Sequence, residues 1–350
     1  MRFSVMDLKV GDRTGSDVFN WNGLLVVSAN TVLNADDIDK LQRHDIDYVD
    51  IMLRYDGKSP EEKPAAAIPQ ENETARTYEE AVGGIKLLFQ QMLQEGKISK
   101  ELVDQSFAPL ANHIEQEKDV VSLLLTLNNK DDYTYQHSVQ VGMISYYIAK
   151  WMGKSEEEAV FVGKAGYLHD IGKSRIDNNL LQKPGRLTAD EFSQVKRHTE
   201  YGYEMIMKSQ LPEPIALVAL QHHERLDGSG YPNALRSQDI HPFSKIVAVA
   251  DIYSAMISNR VYQQKQDLLR VLKELHQLSF GKLDAKITQV FIRHMIPNFI
   301  GKKVLLNNGE SGIIIMTHPT DFFRPLIQIN DQFINLSDHH ELEIQEIYMR

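Results

Sequence analysis

The sequence predicts a mainly α-helical protein: a helical bundle flanked by a small N-terminal α/β module and a small C-terminal antiparallel β module. Three observations carry this. Apolar residues recur at three- and four-residue spacing through most of the middle of the chain. A short mixed segment precedes that region and ends in a proline-bearing linker. Beyond about residue 300 the period shortens, and turn dipeptides separate short β-branched runs.

In chain order, the first unit spans 1–53. Phe19 to Val27 contains an Asn22-Gly23 step, a hairpin signal between apolar residues. Asn34 is placed to cap a helix from Ala35 to His44, and Tyr48 to Met52 reads as a strand. No chemistry is visible there, so a docking or regulatory module is expected. Residues 54–76 read as a solvated linker with Pro60, Pro64 and Pro69. Residues 77–128 read as a helical connector, with stripes at Ile85, Leu88 and Met92 and at Val120, Leu123, Leu124 and Leu127. Such stripes are commonly core, and this one could equally mediate a homodimer.

Residues 129–299 form the bundle. Its stripes are Val141, Ile144, Ile148 and Met152; Ala159, Val162, Gly166 and His169; and Ile246, Val249, Tyr253 and Met256. Residues 300–350 hold four strand-like runs, Lys303–Leu306, Gly312–Met316, Leu326–Ile329 and Phe333–Leu336. Asn308-Gly309, His318-Pro319 and Asn330-Asp331 separate them.

Composition excludes several chemistries. The 350 residues include no cysteine, which rules out a disulfide scaffold, a thiolate zinc site, an iron–sulfur cluster and a thiol nucleophile. Any bound metal must be held by nitrogen and oxygen. A formal charge of -10 argues against broad DNA binding. No apolar run approaches the ~20 residues that cross a bilayer, and the N-terminus lacks the pattern of a secretory signal. A cytoplasmic protein without membrane insertion is expected.

The 13 histidines matter by placement. His137 lies near a helix start, His169 and Asp170 adjoin at a helix end, His198 follows, and His222 and His223 end an apolar helix. Asp251 lies among Val247, Ala248, Val249, Ala250 and Ile252, where a carboxylate is costly to bury unless paired or metal-bound. A single buried histidine is more often a hydrogen-bonded core residue than a ligand. Five imidazoles and two carboxylates together are about what a two-metal site needs. Asp170 is the natural bridge, because a carboxylate has two oxygens. Neighbours on a helix diverge by ~100°, so within His169-Asp170 and His222-His223 the two residues are expected to reach two different ions, or one of them to bridge.

These strings resemble the HD-domain superfamily and, within it, the HD-GYP family. The naming residues are His169-Asp170 and Gly230-Tyr231-Pro232, supported by HDIGK (169–173), LLQKPGRLTADE (180–191), HTEYG (198–202) and HHERLDGSGYP (222–232). The resemblance covers about 130–300. It implies a metal-dependent phosphodiesterase that hydrolyses cyclic di-GMP to pGpG, or on to GMP, through a metal-bridging hydroxide. The metal ligands it implies are His137, His169, Asp170, His198, His222, His223 and Asp251. The cofactors would be two divalent ions, iron or manganese first, with zinc, nickel or magnesium as substitutes. Lys173 and Asp170 would be catalytic, and Lys173, Arg260 and Tyr231 would meet cyclic di-GMP or pGpG. The GYP loop would brace the site or dock a protein partner, with Glu224 and Asp227 accepting its backbone N–H groups.

Four positions depart from the family pattern. Members with a third metal carry Glu where this chain has Tyr133, which favours two ions. Ser254 stands where a second carboxylate is common, Val261 replaces the proline of Arg-Pro-Tyr, and Gln263 replaces a basic residue. The last two weaken the expected phosphate clamp. They leave room for a second reading, a weak or inactive HD-GYP protein acting as a dinucleotide sensor or docking module.

Overall fold

A computed structural model describes residues 2–5, 8–15, 18–19, 25–27, 31–44, 46, 48–52, 70–115, 133–257, 268–318 and 320–348. The Asn22-Gly23 step, the 120–127 stripe, most of the linker and Arg260 to Gln263 lie outside these residues. The chain divides into two compact units, residues 1–67 and 68–350.

In the first unit, strand β1 (Arg2–Ser4) pairs antiparallel with β4 (Tyr48–Asp50), and β2 (Val18–Phe19) pairs with β3 (Leu25–Val27). Helix α1 (Ala35–Arg43) begins at Asn34, whose Oδ1 accepts from Asp37 N at 2.8 Å. Asp37 Oδ2 accepts in turn from Asn34 N at 3.1 Å, so each side chain satisfies one end-group of the first turn. Val5, Val26, Leu33, Leu41, Val49 and Ile51 form its own small core.

The second unit opens with α2 (Gln70–Glu95) and α3 (Lys100–Glu115), which pack together. Helix α2 starts inside the stretch 54–76 read as linker. Its first turns are polar, so they lack the apolar period that marks a helix in sequence. Ile85, Leu88 and Met92 are buried, as their spacing predicts.

The bundle follows: α4 (Tyr133–Trp151), α5 (Glu156–Leu168), a 3-10 turn at Ile171–Arg175, α6 (Asn178–Leu181) and α7 (Ala189–Lys196). It continues with α8 (His198–Lys208), α9 (Glu213–Gln221), α10 (Pro242–Ile257), α11 (Leu268–Leu278) and α12 (Ala285–Met295). Ser155 with Glu158, and Thr188 with Glu191, close reciprocal caps at the starts of α5 and α7. Val141, Ile144, Ile148, Ala159, Val162, Ile246, Val249 and Tyr253 all lie in the core, while Met152 and Met256 are partly buried against it.

The C-terminal strands are β5 (Lys303–Leu306), β6 (Ser311–Met316), β7 (Leu326–Ile329), β8 (Gln332–Asn335) and β9 (Ile344–Tyr348). They form one antiparallel sheet in the order β8-β7-β6-β5-β9. The fifth strand was not expected from the sequence. Its buried residues, Ile344 and Ile347, are out of the two-residue strand period. A bulge explains this: Leu306 pairs with Ile344 and Leu305 with Glu346, leaving Gln345 as the extra residue.

Candidate metal centre

Seven side chains from separate parts of the bundle converge. His137 sits in the first turns of α4. His169 is the residue that ends α5, and Asp170 follows before the 3-10 turn. His198 opens α8, His222 ends α9 with His223 next to it, and Asp251 projects from the middle of α10. All are buried except His223, which is partly buried.

Their ligand atoms fall into two groups, Asp170 with His198, His222 and His223, and His137 with His169 and Asp251; within each, every ligand atom lies within 4.8 Å of the others. Asp170 faces both. Its Oδ1 is 3.3 Å from His198 Nε2 and 3.9 Å from His222 Nε2. Its Oδ2 is 3.3 Å from His169 Nε2 and 3.9 Å from His137 Nε2. Asp251 Oδ1 lies 3.0 Å from His137 Nε2, and its Oδ2 lies 3.6 Å from His223 Nδ1.

One expectation is corrected. His222 and His223 contribute to the same group of four. His222 caps the helix after Gln221, and the two rings lie 4.0 Å apart between centroids.

Backbone carbonyls orient three of the rings. His169 Nδ1 lies 2.7 Å from Gly166 O, His198 Nδ1 2.7 Å from Val195 O, and His222 Nδ1 3.0 Å from Ala219 O. A carbonyl only accepts, so each Nδ1 carries the proton and each Nε2 offers a lone pair to the centre. His137 differs: its Nδ1 meets the Ser254 hydroxyl at 3.0 Å, and Ser254 donates to Gln140 Oε1 at 2.9 Å. Sequence reading noted Ser254 only as a departure and missed Gln140. The available signal was a polar residue one turn beyond His137 on a buried face.

The electrostatics favour neutral imidazoles at four of the five rings, beside ionised carboxylates. Burial lowers His198 to about 4 and holds His137, His222 and His223 below the ordinary histidine value. Burial opposes the charge on His169 too, but Asp170 outweighs it and raises that group. Burial works to raise both carboxylates. Against it, His169 and Lys173 hold Asp170, and His137 holds Asp251, well below the usual carboxylate range. Lys173 Nζ is 2.5 Å from Asp170 Oδ2.

The residues fit a cation. His169 Nε2 and Asp170 Oδ1 are buried and complete no hydrogen bond. Orphaned acceptors of this kind are rare in protein interiors and signal an ion or water. A nitrogen and oxygen donor set without thiolate suits borderline to hard divalent metals.

The loop of Gly230-Tyr231-Pro232 packs beside this centre. Tyr231 packs against the His223 ring at 4.7 Å between centroids, tilted by 34°, with Phe192 on another side and Lys196 over its ring. Glu224 is buried and accepts from Asn233 N at 2.7 Å and Leu235 N at 2.9 Å. Asp227 accepts from Ser229 N at 2.9 Å. Gly228 takes φ 81°, a conformation open to glycine. Gly230 instead sits so close to the backbone of His223, Glu224 and Arg225 that no Cβ fits. Arg260 lies outside the described residues.

A family model described as the HD domain matches residues 112–287. A cyclic di-GMP phosphodiesterase of Pseudomonas aeruginosa is 30% identical over 232 residues, 66% of this chain and 55% of the relative. Another from Thermotoga maritima is 39% identical over 196 residues, 51% of this chain and 53% of the relative. A 3'3'-cGAMP-specific phosphodiesterase of Vibrio cholerae is 32% identical over 185 residues, 51% of this chain and 42% of the relative. The chain spans about half the length of the curated relatives it matches. Among solved structures, an HDG"Y"P protein from Bdellovibrio bacteriovorus has a similar fold, with TM-score 0.52 and 16% identity over 83% of this chain and 97% of the other. Among the described residues, no helix is long and apolar enough to cross a membrane.

Proposed function

The chain belongs to the HD-domain family, and from that premise we propose that it is a metal-dependent phosphodiesterase hydrolysing cyclic di-GMP to pGpG, or on to GMP. The observation that carries this reading is Asp170, whose two oxygens face two separate sets of buried nitrogen and oxygen donors. One ion would be held by His198, His222, His223 and Asp170, and the other by His137, His169, Asp251 and Asp170. The resemblance to HD-GYP proteins puts iron or manganese first, with zinc, nickel or magnesium as substitutes. Two bound divalent ions supply Lewis acidity, activating a water near neutral pH and neutralising charge on a phosphodiester.

The protein's own residues do the rest. Carbonyl-fixed rings keep Nε2 of His169, His198 and His222 aimed inward at no cost in reorganisation. Asp170 and Asp251, held ionised, would offset only part of the charge of two dications, leaving the centre locally positive for an anionic phosphodiester despite the overall -10. Lys173, beside Asp170 and partly exposed, is assigned to the scissile phosphate as the catalytic cation. Tyr231 and Arg260 are assigned to the substrate. Residues 129–299 would form the catalytic domain and 77–128 its helical connector. Residues 54–76 would form the linker and 300–350 an accessory β module, with 1–53 regulatory. A cytoplasmic location and a protein partner at the GYP loop complete the reading.

The test is metal analysis of protein purified without oxygen, followed by incubation with cyclic di-GMP and, separately, 3'3'-cGAMP. Linear pGpG from the first is expected. Absence of any linear product, with manganese or with anaerobic ferrous iron, would overturn the assignment.

A further inference from the structure

One apolar side chain near the centre is not explained by core packing. No residue of α7 is buried, yet this helix carries a phenyl ring at Phe192 that stands 44% exposed. Reciprocal capping by Thr188 and Glu191 fixes the first turn of α7, and Lys183 Nζ holds Glu191 Oε1 at 2.6 Å. Phe192 and Lys196, four residues apart, share one face of the helix. Both meet the loop of Gly230-Tyr231-Pro232.

The Phe192 and Tyr231 rings lie edge to face, 6.0 Å between centroids and 80° between planes. Two nearly perpendicular rings make the walls of a notch. Lys196 Nζ is 5.0 Å from the centroid of Phe192 and 5.7 Å from that of Tyr231. Among the described residues, this ammonium meets no carboxylate. Rings alone hold a cation weakly at a partly exposed site, and its N–H donors remain open to a ligand. Tyr231 also packs against His223, so the notch adjoins the metal centre.

A purine matches these features. Any base offers a π-face to an aromatic wall. Guanine also presents N7 and O6, two neighbouring acceptors, whereas adenine presents the N7 acceptor beside its N6 donor. An ammonium only donates. It therefore suits both atoms of the guanine edge and only one of the adenine edge.

We propose that Phe192, Tyr231 and Lys196 form a guanine-selective subsite for one base of a cyclic dinucleotide, beside the metal centre. Phe192 supplies the stacking wall, and Lys196 reads the N7 and O6 edge. The subsite deepens the phosphodiesterase reading and rests on it. A mixed substrate is then cut asymmetrically. 3'3'-cGAMP has two phosphodiesters, and hydrolysis adds water across one of them, breaking a P–O3′ bond to leave a 5′-phosphate and a 3′-hydroxyl. The base held in the subsite decides which phosphodiester lies at the metals. Guanine held there gives one linear isomer, pApG or pGpA, in excess over the other.

The experiment uses the full chain loaded with Mn²⁺. Values of kcat and KM for cyclic di-GMP, 3'3'-cGAMP and cyclic di-AMP are compared for wild type, Lys196→Met, Lys196→Arg and Phe192→Leu. The linear isomers from 3'3'-cGAMP are separated by chromatography. Neither position is buried, so the substitutions leave the core intact. Bidentate contacts to a base edge discriminate by about 5–150-fold, and a single ammonium should supply about tenfold. Lys196→Met should reduce the preference for cyclic di-GMP over cyclic di-AMP by that factor and bring the two isomers towards equal amounts. Lys196→Arg, which keeps donors for N7 and O6, should retain both preferences. Phe192→Leu should raise KM for all three substrates by about tenfold, because stacking ignores base identity. A residue that only braced the loop would lower all three rates together and leave the isomer ratio alone. Equal isomers from wild type, or an unchanged isomer ratio and base preference in Lys196→Met, would overturn the subsite and leave the phosphodiesterase reading standing. No hydrolysis of any of the three by wild type would overturn both.

Discussion

Asp170→Asn separates a bridged centre from two independent ones. The substitution keeps shape and removes one negative charge. In the structure, Oδ1 lies 3.3 Å from His198 Nε2 and Oδ2 lies 3.3 Å from His169 Nε2, so the lost charge serves both donor sets. Removing even a second-layer partner commonly costs 10–100-fold in metal affinity, so a shared ligand should cost at least about 100-fold at each ion. That is about 2.7 kcal/mol per ion at 1.36 kcal/mol per tenfold. His198→Ala, by contrast, should weaken one ion and largely spare the other. The assay is equilibrium dialysis against buffered Mn²⁺ with metal counted by mass spectrometry, alongside hydrolysis of cyclic di-GMP. Circular dichroism of the metal-free variant checks the fold. Asp170→Asn is expected to lose both ions and hydrolysis together. Retention of one ion at wild-type affinity would refute the bridge, and retention of both would refute the site.

Metal-free protein should be destabilised by acid. His198 is lowered from 6.5 to about 4, so the unfolded chain takes up that proton first. Its contribution is complete above about pH 6.5 and is lost as pH falls towards about 4, on the order of 3 kcal/mol for this group. His169, which is raised, works in the opposite sense but is one group against four. A urea midpoint that stays level or rises on acidification would contradict this. Glu224→Gln should loosen the 223–235 loop, since one carboxylate oxygen that accepts from Asn233 or Leu235 becomes an NH₂. Bonds to charged groups contribute about 1.5–3 kcal/mol, so urea denaturation should show a loss of that order, with faster amide exchange at both positions. Ile347→Ala empties a buried position on the unexpected fifth strand. A cost of about 2–5 kcal/mol is expected by thermal or chemical denaturation, and a negligible change would mean that β9 is not docked.

Much of the fold was legible because it rests on local periodicity. The stripes at Ile85, Leu88 and Met92 and at Val141, Ile144 and Ile148 were visible within a window of two turns, and these residues are buried. Asn34 and the turn dipeptides beyond residue 300 announced element boundaries by the same local chemistry. Where the reading slipped, a non-local effect intervened. The start of α2 at Gln70 has a polar first segment. The fifth strand hides its period behind a bulge that exists only opposite Leu305 and Leu306.

For the centre, residue types and order were enough to select His137, His169, Asp170, His198, His222, His223 and Asp251 as candidates. No separation in sequence says which donors share a group. His137 and Asp251 lie 114 residues apart, yet their ligand atoms are 3.0 Å apart. Only packing of α4 against α10 does that. His222 and His223, neighbours at the end of α9, fall in one group of four. The contact of Ser254 with Gln140 likewise joins α10 to α4. Periodicity, capping and ligand chemistry are properties of residues and their neighbours, so the sequence alone determined which elements form and which atoms can hold a cation. Which of those atoms meet, and which proton each ring keeps, depends on helices crossing at specific points, and that the tertiary structure decided.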